Sequence, residues 1–121
     1  MNKPNILWIC TDQQRFDTLG CYGNEFVTTP HLDGLAAGGV KFNAAYCQNP
    51  VCTPSRASFL TGRYPHTTGA RQNGQSINPT EVLVTKLLAD AGYDCGLSGK
   101  LHISACSPNI CDDIEPRIDD G

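Results

Sequence analysis

The chain alternates short apolar runs with polar, glycine-bearing stretches, and the runs differ in period. Residues 5–10, Asn-Ile-Leu-Trp-Ile-Cys, are almost continuously apolar. That is the pattern of a strand buried on both faces, as in a parallel sheet. The run stops at Thr11-Asp12, which puts an acid at the carboxyl end of a central strand. Open α/β sheets bind their ligands at that edge. After an irregular stretch over 15–28, Thr29-Pro30-His31-Leu32 opens a predicted helix, with Thr29 as its cap and Pro30 in its first position. Leu32, Leu35 and Ala36 share one face of it, Gly38-Gly39 stop it, and Val40 to Cys47 reads as a second strand or extended segment.

The second half holds no internal repeat of the first. Residues 48–56 hold two prolines in a dense polar cluster, followed by a short predicted helix from about Ser55 to Leu60 that Gly62 ends. Residues 64–79 carry glycine and proline without periodicity and read as a loop. Thr80 to Ala91 is the clearest helix, because Leu83, Leu87 and Ala91 recur at four-residue steps with Val84 and Leu88 alongside. Gly92 stands at its C-terminal stop. Tyr93 to Ser98 returns as a strand and runs into Gly99-Lys100-Leu101-His102. Residues 103–121 are polar, include Pro108 and Pro116, and add no closing element before Asp119-Asp120-Gly121. The order predicts an α/β fold, a mostly parallel sheet flanked by helices, in which residues 1–121 are an incomplete part.

Composition narrows the class. The 121 residues are 40% hydrophobic and 17% charged, as globular chains are. The net charge is −3 and the nine basic residues are scattered, so no nucleic-acid partner is expected. No run approaches the ~20 apolar residues that span a membrane. The run Ile6 to Cys10 is too short for a signal core, which makes the cytoplasm the expected location. Cysteines at 10, 21, 47, 52, 95, 106 and 111 are odd in number and form no Cys-x-x-Cys pair. They fit neither a disulfide framework nor a zinc site, and most read as plain buried thiols.

Three polar constellations fall at the strand ends or on the loop between them: Asp12 with its neighbours, Cys52 to Arg56, and Lys100 with His102. Taken singly, each also suits a turn acid, a structural cysteine or a solvated surface pair. Their predicted position at one sheet edge sets them apart. Arg56 lies one helical turn after Cys52, so both can share a face at a helix N-terminus, an end that favours anions. Lys100 and His102, two apart on an extended segment, should point the same way. Asp12 is a hard oxygen ligand suited to Ca²⁺ or Mg²⁺. His66 could reach a substrate or sit on a surface loop. His31 reads as a first-turn helix residue, and Arg15 as either a substrate contact or a surface charge.

The segment Cys52-Thr53-Pro54-Ser55-Arg56-Ala57-Ser58-Phe59-Leu60-Thr61-Gly62 resembles the sulfatase signature at every position: Cys-x-Pro-Ser-Arg, two residues, a hydrophobic pair and Thr-Gly. Gly92-Tyr93-Asp94-Cys95-Gly96-Leu97-Ser98-Gly99-Lys100-Leu101-His102 is similar to the family's second signature. Cys95 replaces its usual Ser or Thr there, and Leu101 replaces a common aromatic. The opening Pro4 to Asp12 and Gly20-Cys21-Tyr22-Gly23 look like the start of such enzymes, so the resemblance covers nearly the whole chain. It implies an alkaline-phosphatase-like fold, with residues 1–121 as the N-terminal portion of a sulfatase catalytic domain.

The resemblance also implies a chemistry. Cys52 would be oxidised to formylglycine by a maturase partner, and the hydrated aldehyde would attack the sulfur of a small-molecule or glycan sulfate ester. The second hydroxyl of the gem-diol then lets the sulfated adduct collapse and expel sulfate, so no second attack on sulfur is needed. Arg56 would support the formylglycine hydroxyl. Lys100 and His102 would bind the sulfate and help protonate the leaving oxygen. Asp12, Gln13 and residue 52 itself would hold the cation: Ca²⁺, or Mg²⁺ or Mn²⁺ in its place. Many relatives carry a second acid where Gln13 stands, and a neutral amide there lowers the negative charge offered to the metal. Two alternatives stand beside this reading. One is a phosphonate or phosphate monoester hydrolase of the same superfamily. The other is a non-catalytic thiol-rich protein of metal or redox chemistry.

Overall fold

The computed structural model describes residues 3–104. Cys106, Cys111 and the polar segment with Pro108 and Pro116 lie outside the described residues. Two units are distinguished, Met1–Ala45 and Tyr46–Gly121.

The first unit is built around α1, Pro30–Gly38, with Pro30 in its first turn as predicted. Thr29 does not cap it through its side chain. Its hydroxyl instead accepts the Gly20 N–H at 2.8 Å and donates to Asp33 Oδ1 at 3.0 Å. Asp33 Oδ1 also accepts the Cys21 N–H at 2.6 Å. These bonds tie α1 to the preceding 3-10 turns, Phe16–Thr18 and Gly20–Tyr22. Position 20 is tight for any other residue, because a Cβ there would lie 2.6 Å from Asp33 Oδ2 and would push that carboxylate out of its bonds. Lys41 closes the unit from the other side, donating to the Cys21 carbonyl at 2.8 Å with its ammonium over the Tyr22 ring.

The second unit holds α2, Cys52–Thr61, α3, Pro65–Thr68, and α4, Val84–Asp90. α2 begins at Cys52 and not at Ser55, because Pro54 falls in its first turn, where a missing N–H costs nothing. Gly62 ends it as predicted, in the left-handed region at φ 69°, with its N–H on the Ser58 carbonyl at 2.8 Å. The stretch read as a loop contains α3. The helix predicted over 80–91 is shorter at its start. Glu81, its side chain 3% exposed, receives both carboxylate contacts from Arg63 Nη1 at 3.1 Å, and residues 81–83 stay outside the helix. Ala57, Ala70, Ile77, Leu83 and Ile103 form the core, with Leu60 and Leu101 packed against it.

The predicted sheet is not formed among the described residues. Segments 5–10, 40–47 and 93–98 contain no strand, and no other described residue does. Strand structure requires a neighbouring strand to pair alternate backbone groups, and no such ladder forms among the described residues. Their side chains report the same: Leu7 is 83% exposed and Trp8 68%. Among the described residues no helix is long and apolar enough to cross a membrane.

The turn after α3 yields a stability test. Gly69 has φ 84°, and a Cβ there would meet Asn78 Oδ1 at 2.7 Å; Gly74 has φ 82° with nothing near. Gly69→Ala is expected to cost about 2 kcal/mol or more in urea unfolding, and Gly74→Ala the backbone part alone, about 1 kcal/mol. Equal losses would show that the Asn78 contact has no effect.

Candidate active site

Residue 52 sits in the first turn of α2, and how that turn is satisfied decides what it can offer a ligand. The preceding residue, Val51, gives no side-chain cap. The Thr53 N–H is taken by Asn73 Oδ1 at 2.9 Å, Pro54 has no N–H, and the Ser55 N–H bonds to the Val51 carbonyl at 3.1 Å. The helix end is therefore largely used up in internal bonds. Its favourable field for anions persists, but few of its donors remain for a bound ion. Positive charge at this site has to come from side chains.

Two side chains bring it. Arg56 follows Cys52 by four residues on α2 and is 8% exposed. Its Nη1 donates to the Lys100 carbonyl at 2.5 Å, across 44 residues of sequence. That bond fixes the backbone from which the Lys100 side chain starts, and Lys100 Nζ reaches Cys52 Sγ at 3.6 Å. Sulfur here stands at the position from which a modified residue 52 would act. Lys100, remote in sequence, thus joins Cys52 and Arg56 of α2 in one cluster.

His102 is held next to it by different means. Ile103 is buried in the core, and its carbonyl accepts the Ile77 N–H at 3.2 Å. His102 has φ 58°, a region that residues other than glycine seldom enter. The extended geometry expected for 100–102, with both side chains on one side, is broken there. His102 Nδ1 is buried with no hydrogen-bond partner, as are Thr53 Oγ1 and Ser58 Oγ on α2. Buried polar atoms are almost always paired, and these three, on α2 and beside Lys100, have no protein partner.

The metal-ligand expectation fares differently. Asp12 and Gln13 are both exposed, and Gln13 has φ 53°. No group of three or more His, Cys, Asp or Glu among the described residues could hold a metal ion. An acid and an amide fall short of the ~6 oxygen ligands a Ca²⁺ or Mg²⁺ takes, so these residues do not by themselves fit the cation. The other candidates resolve as follows. Arg15 is paired with Asp17, whose carboxyl its hydrogen bond holds below the usual range. His66 is exposed on α3, its ring stacked on Tyr64 at 5.8 Å. His31 lies in the first turn of α1. Asn73 was not singled out by sequence, because an asparagine before a glycine reads as an ordinary turn.

Residues 4–111 match the family model described as Sulfatase. The chain belongs to the sulfatase family. It is 44% identical over 111 residues to the steryl-sulfatase of Rattus norvegicus, covering 83% of this chain and 19% of that one. It is 46% identical over 101 residues to an ulvan-active sulfatase of Formosa agariphila, with 84% and 20% covered. Against human arylsulfatase A the identity is 43% over 108 residues, with 83% and 21% covered. The chain therefore spans about a fifth of the length of these sulfatases.

Removing the guanidinium tests the cluster. Arg56→Ala leaves the Lys100 carbonyl without this charged donor and should lower unfolding stability by about 2–3 kcal/mol. It should also raise amide exchange over 99–103, measured by mass spectrometry. Unchanged exchange in that segment would show that the core alone holds it.

Proposed function

We propose that the full-length protein hydrolyses sulfate monoesters at residue 52, on the alkaline-phosphatase-like fold that sulfatase membership implies. The observation that carries this is that Lys100 reaches Cys52 at the head of α2 while Arg56 of the same helix bonds to the Lys100 carbonyl. A sulfate ester is an anion, and its transition state places further charge on oxygen. Fixed cations in a partly buried site stabilise that charge without reorganising. Lys100 Nζ stands 3.6 Å from Cys52 Sγ, and Arg56 holds the Lys100 backbone in register.

Formylglycine derived from Cys52 by a maturase would supply a hydrated aldehyde, with one hydroxyl to attack sulfur and another to release sulfate. The half-buried position of Cys52 in the first turn, beside an ammonium, fits such a group. Lys100 would hold a sulfate oxygen. His102 would give a proton to the departing alcohol oxygen, and its unpartnered Nδ1 shows that one ring nitrogen is not committed to a structural bond. A divalent cation, Ca²⁺ before Mg²⁺ or Mn²⁺, would draw on Asp12 and Gln13 only together with ligands from elsewhere in the protein. The substrate is a small-molecule or glycan sulfate ester, the two kinds of compound suggested by the names of the steryl- and ulvan-active relatives. Gln13 in place of an acid favours keeping phosphonate monoesters in the assay as a second substrate class.

In the full-length protein made with a maturase, the peptide over 47–63 is expected to carry the mass of formylglycine at position 52. Cys52→Ala should abolish turnover of an aryl sulfate. Active enzyme with an unmodified Cys52 would overturn the reading. His102→Ala should depress kcat/KM more for basic leaving groups than for acidic ones, since an acid matters most where the departing oxygen is basic. A uniform loss across leaving groups would remove His102 from that role.

A further inference from the structure

We propose that Asn73 is a positioning residue for the chemistry at residue 52; this rests on the sulfatase reading above. α2 lacks a cap of its own, because Val51 has no side-chain oxygen to offer. Asn73, twenty residues away, supplies it by accepting the Thr53 N–H on Oδ1 at 2.9 Å. The bonded amide belongs to the residue immediately after the nucleophile position. The contact therefore acts on the backbone that aims residue 52, and not merely on helix stability at large.

Asn73 is itself held for this task. Gln75 Oε1 accepts the Arg71 and Gln72 N–H groups at 2.8 and 3.2 Å, folding the loop back on itself around Asn73. Gly74 turns the chain at φ 82°. The loop then leaves through Ile77, whose N–H bonds to the Ile103 carbonyl, and Asn78, whose N–H bonds to the Thr68 carbonyl at 2.8 Å. Its base is thus fastened to the segment that carries Lys100 and His102. One end of this small framework sets residue 52 and the other sets the groups that act with it. A side-chain cap from a distant loop couples the two more stiffly than a local Ser or Asp before the helix could, because a local cap moves with the helix.

The test uses the full-length, matured enzyme, with rates normalised to the formylglycine content of the 47–63 peptide. Asn73 is exposed, so Asn73→Ala removes the contact without opening the core. It is expected to lower kcat about tenfold while KM stays within about twofold, the mark of misplaced reacting groups rather than lost binding. Asn73→Asp keeps an acceptor oxygen and should recover most of kcat. Hydrogen exchange of the Thr53 amide should speed up in Asn73→Ala and stay slow in Asn73→Asp. An Ala variant with wild-type kcat, or an Asp variant no better than Ala, would overturn the proposal. A wild-type protein without sulfatase turnover would sink the functional reading instead. Thr53 exchange would then still decide whether Asn73 caps α2.

Discussion

The described part of the site depends on one bond, from the Arg56 guanidinium to the Lys100 carbonyl. It joins a helix to a segment without regular structure, and such a segment has no ladder of its own to hold it. Closing a chain over that many residues is costly in entropy, but the cost grows only slowly with loop length. A single charged donor, shielded from water, can therefore hold the closure once the core has brought the two parts near. Arginine suits the role better than lysine. Its charge is permanent, its planar fork loses less freedom per bond formed, and it is more weakly hydrated and so easier to bury. The backbone of Lys100 thus serves the structure, while its Nζ reaches Cys52 Sγ at 3.6 Å.

The core beneath this bond is small, and its composition explains how α2 comes so close. Ala57 and Ala70 are fully buried, and short side chains let backbones approach. Ile77, Leu83 and Ile103 fill the remainder from three separate segments, so the apolar contacts and the hydrogen bonds of 77 and 103 act on the same residues. The first turn of α2 holds Cys52. In the segment 100–103, Ile103 lies in the core with Leu101 packed against it.

Much of this was legible in the sequence, for physical reasons that differ by residue. Cys52 and Arg56 could be placed on one helical turn, since the spacing of four dictates it, and Gly62 could be read as the stop because only glycine takes a left-handed C-cap cheaply. The family was legible because the 52–62 signature leaves few positions unconstrained. The strands were not realised. Continuous apolar runs such as Ile6 to Ile9 report where a chain would be buried, but pairing needs a neighbouring strand, which the described residues do not provide. Thr29 was misread because its hydroxyl had a better partner in the Gly20 amide than in its own helix, a competition that sequence cannot show. Asn73 was invisible for the same reason: its partner is twenty residues away.

The strained positions complete the argument. Gln13 and His102 are the non-glycine residues with positive φ among the described residues. Such conformations cost of order 1–3 kcal/mol each and persist where surrounding structure enforces them. Asparagine or glycine would relieve the strain, so a chain under pressure for stability alone has an easy escape at both places. Yet both are residues that the proposed function would use. At His102 the strain coincides with a buried, unpartnered Nδ1, a second penalty at the same residue. Both costs fall on one residue, and glycine there would remove both. They are accounted for if the ring has to be presented at this place and with this nitrogen uncommitted. The left-handed turn supplies the place, and the buried core residue that follows it, Ile103, keeps the turn from relaxing.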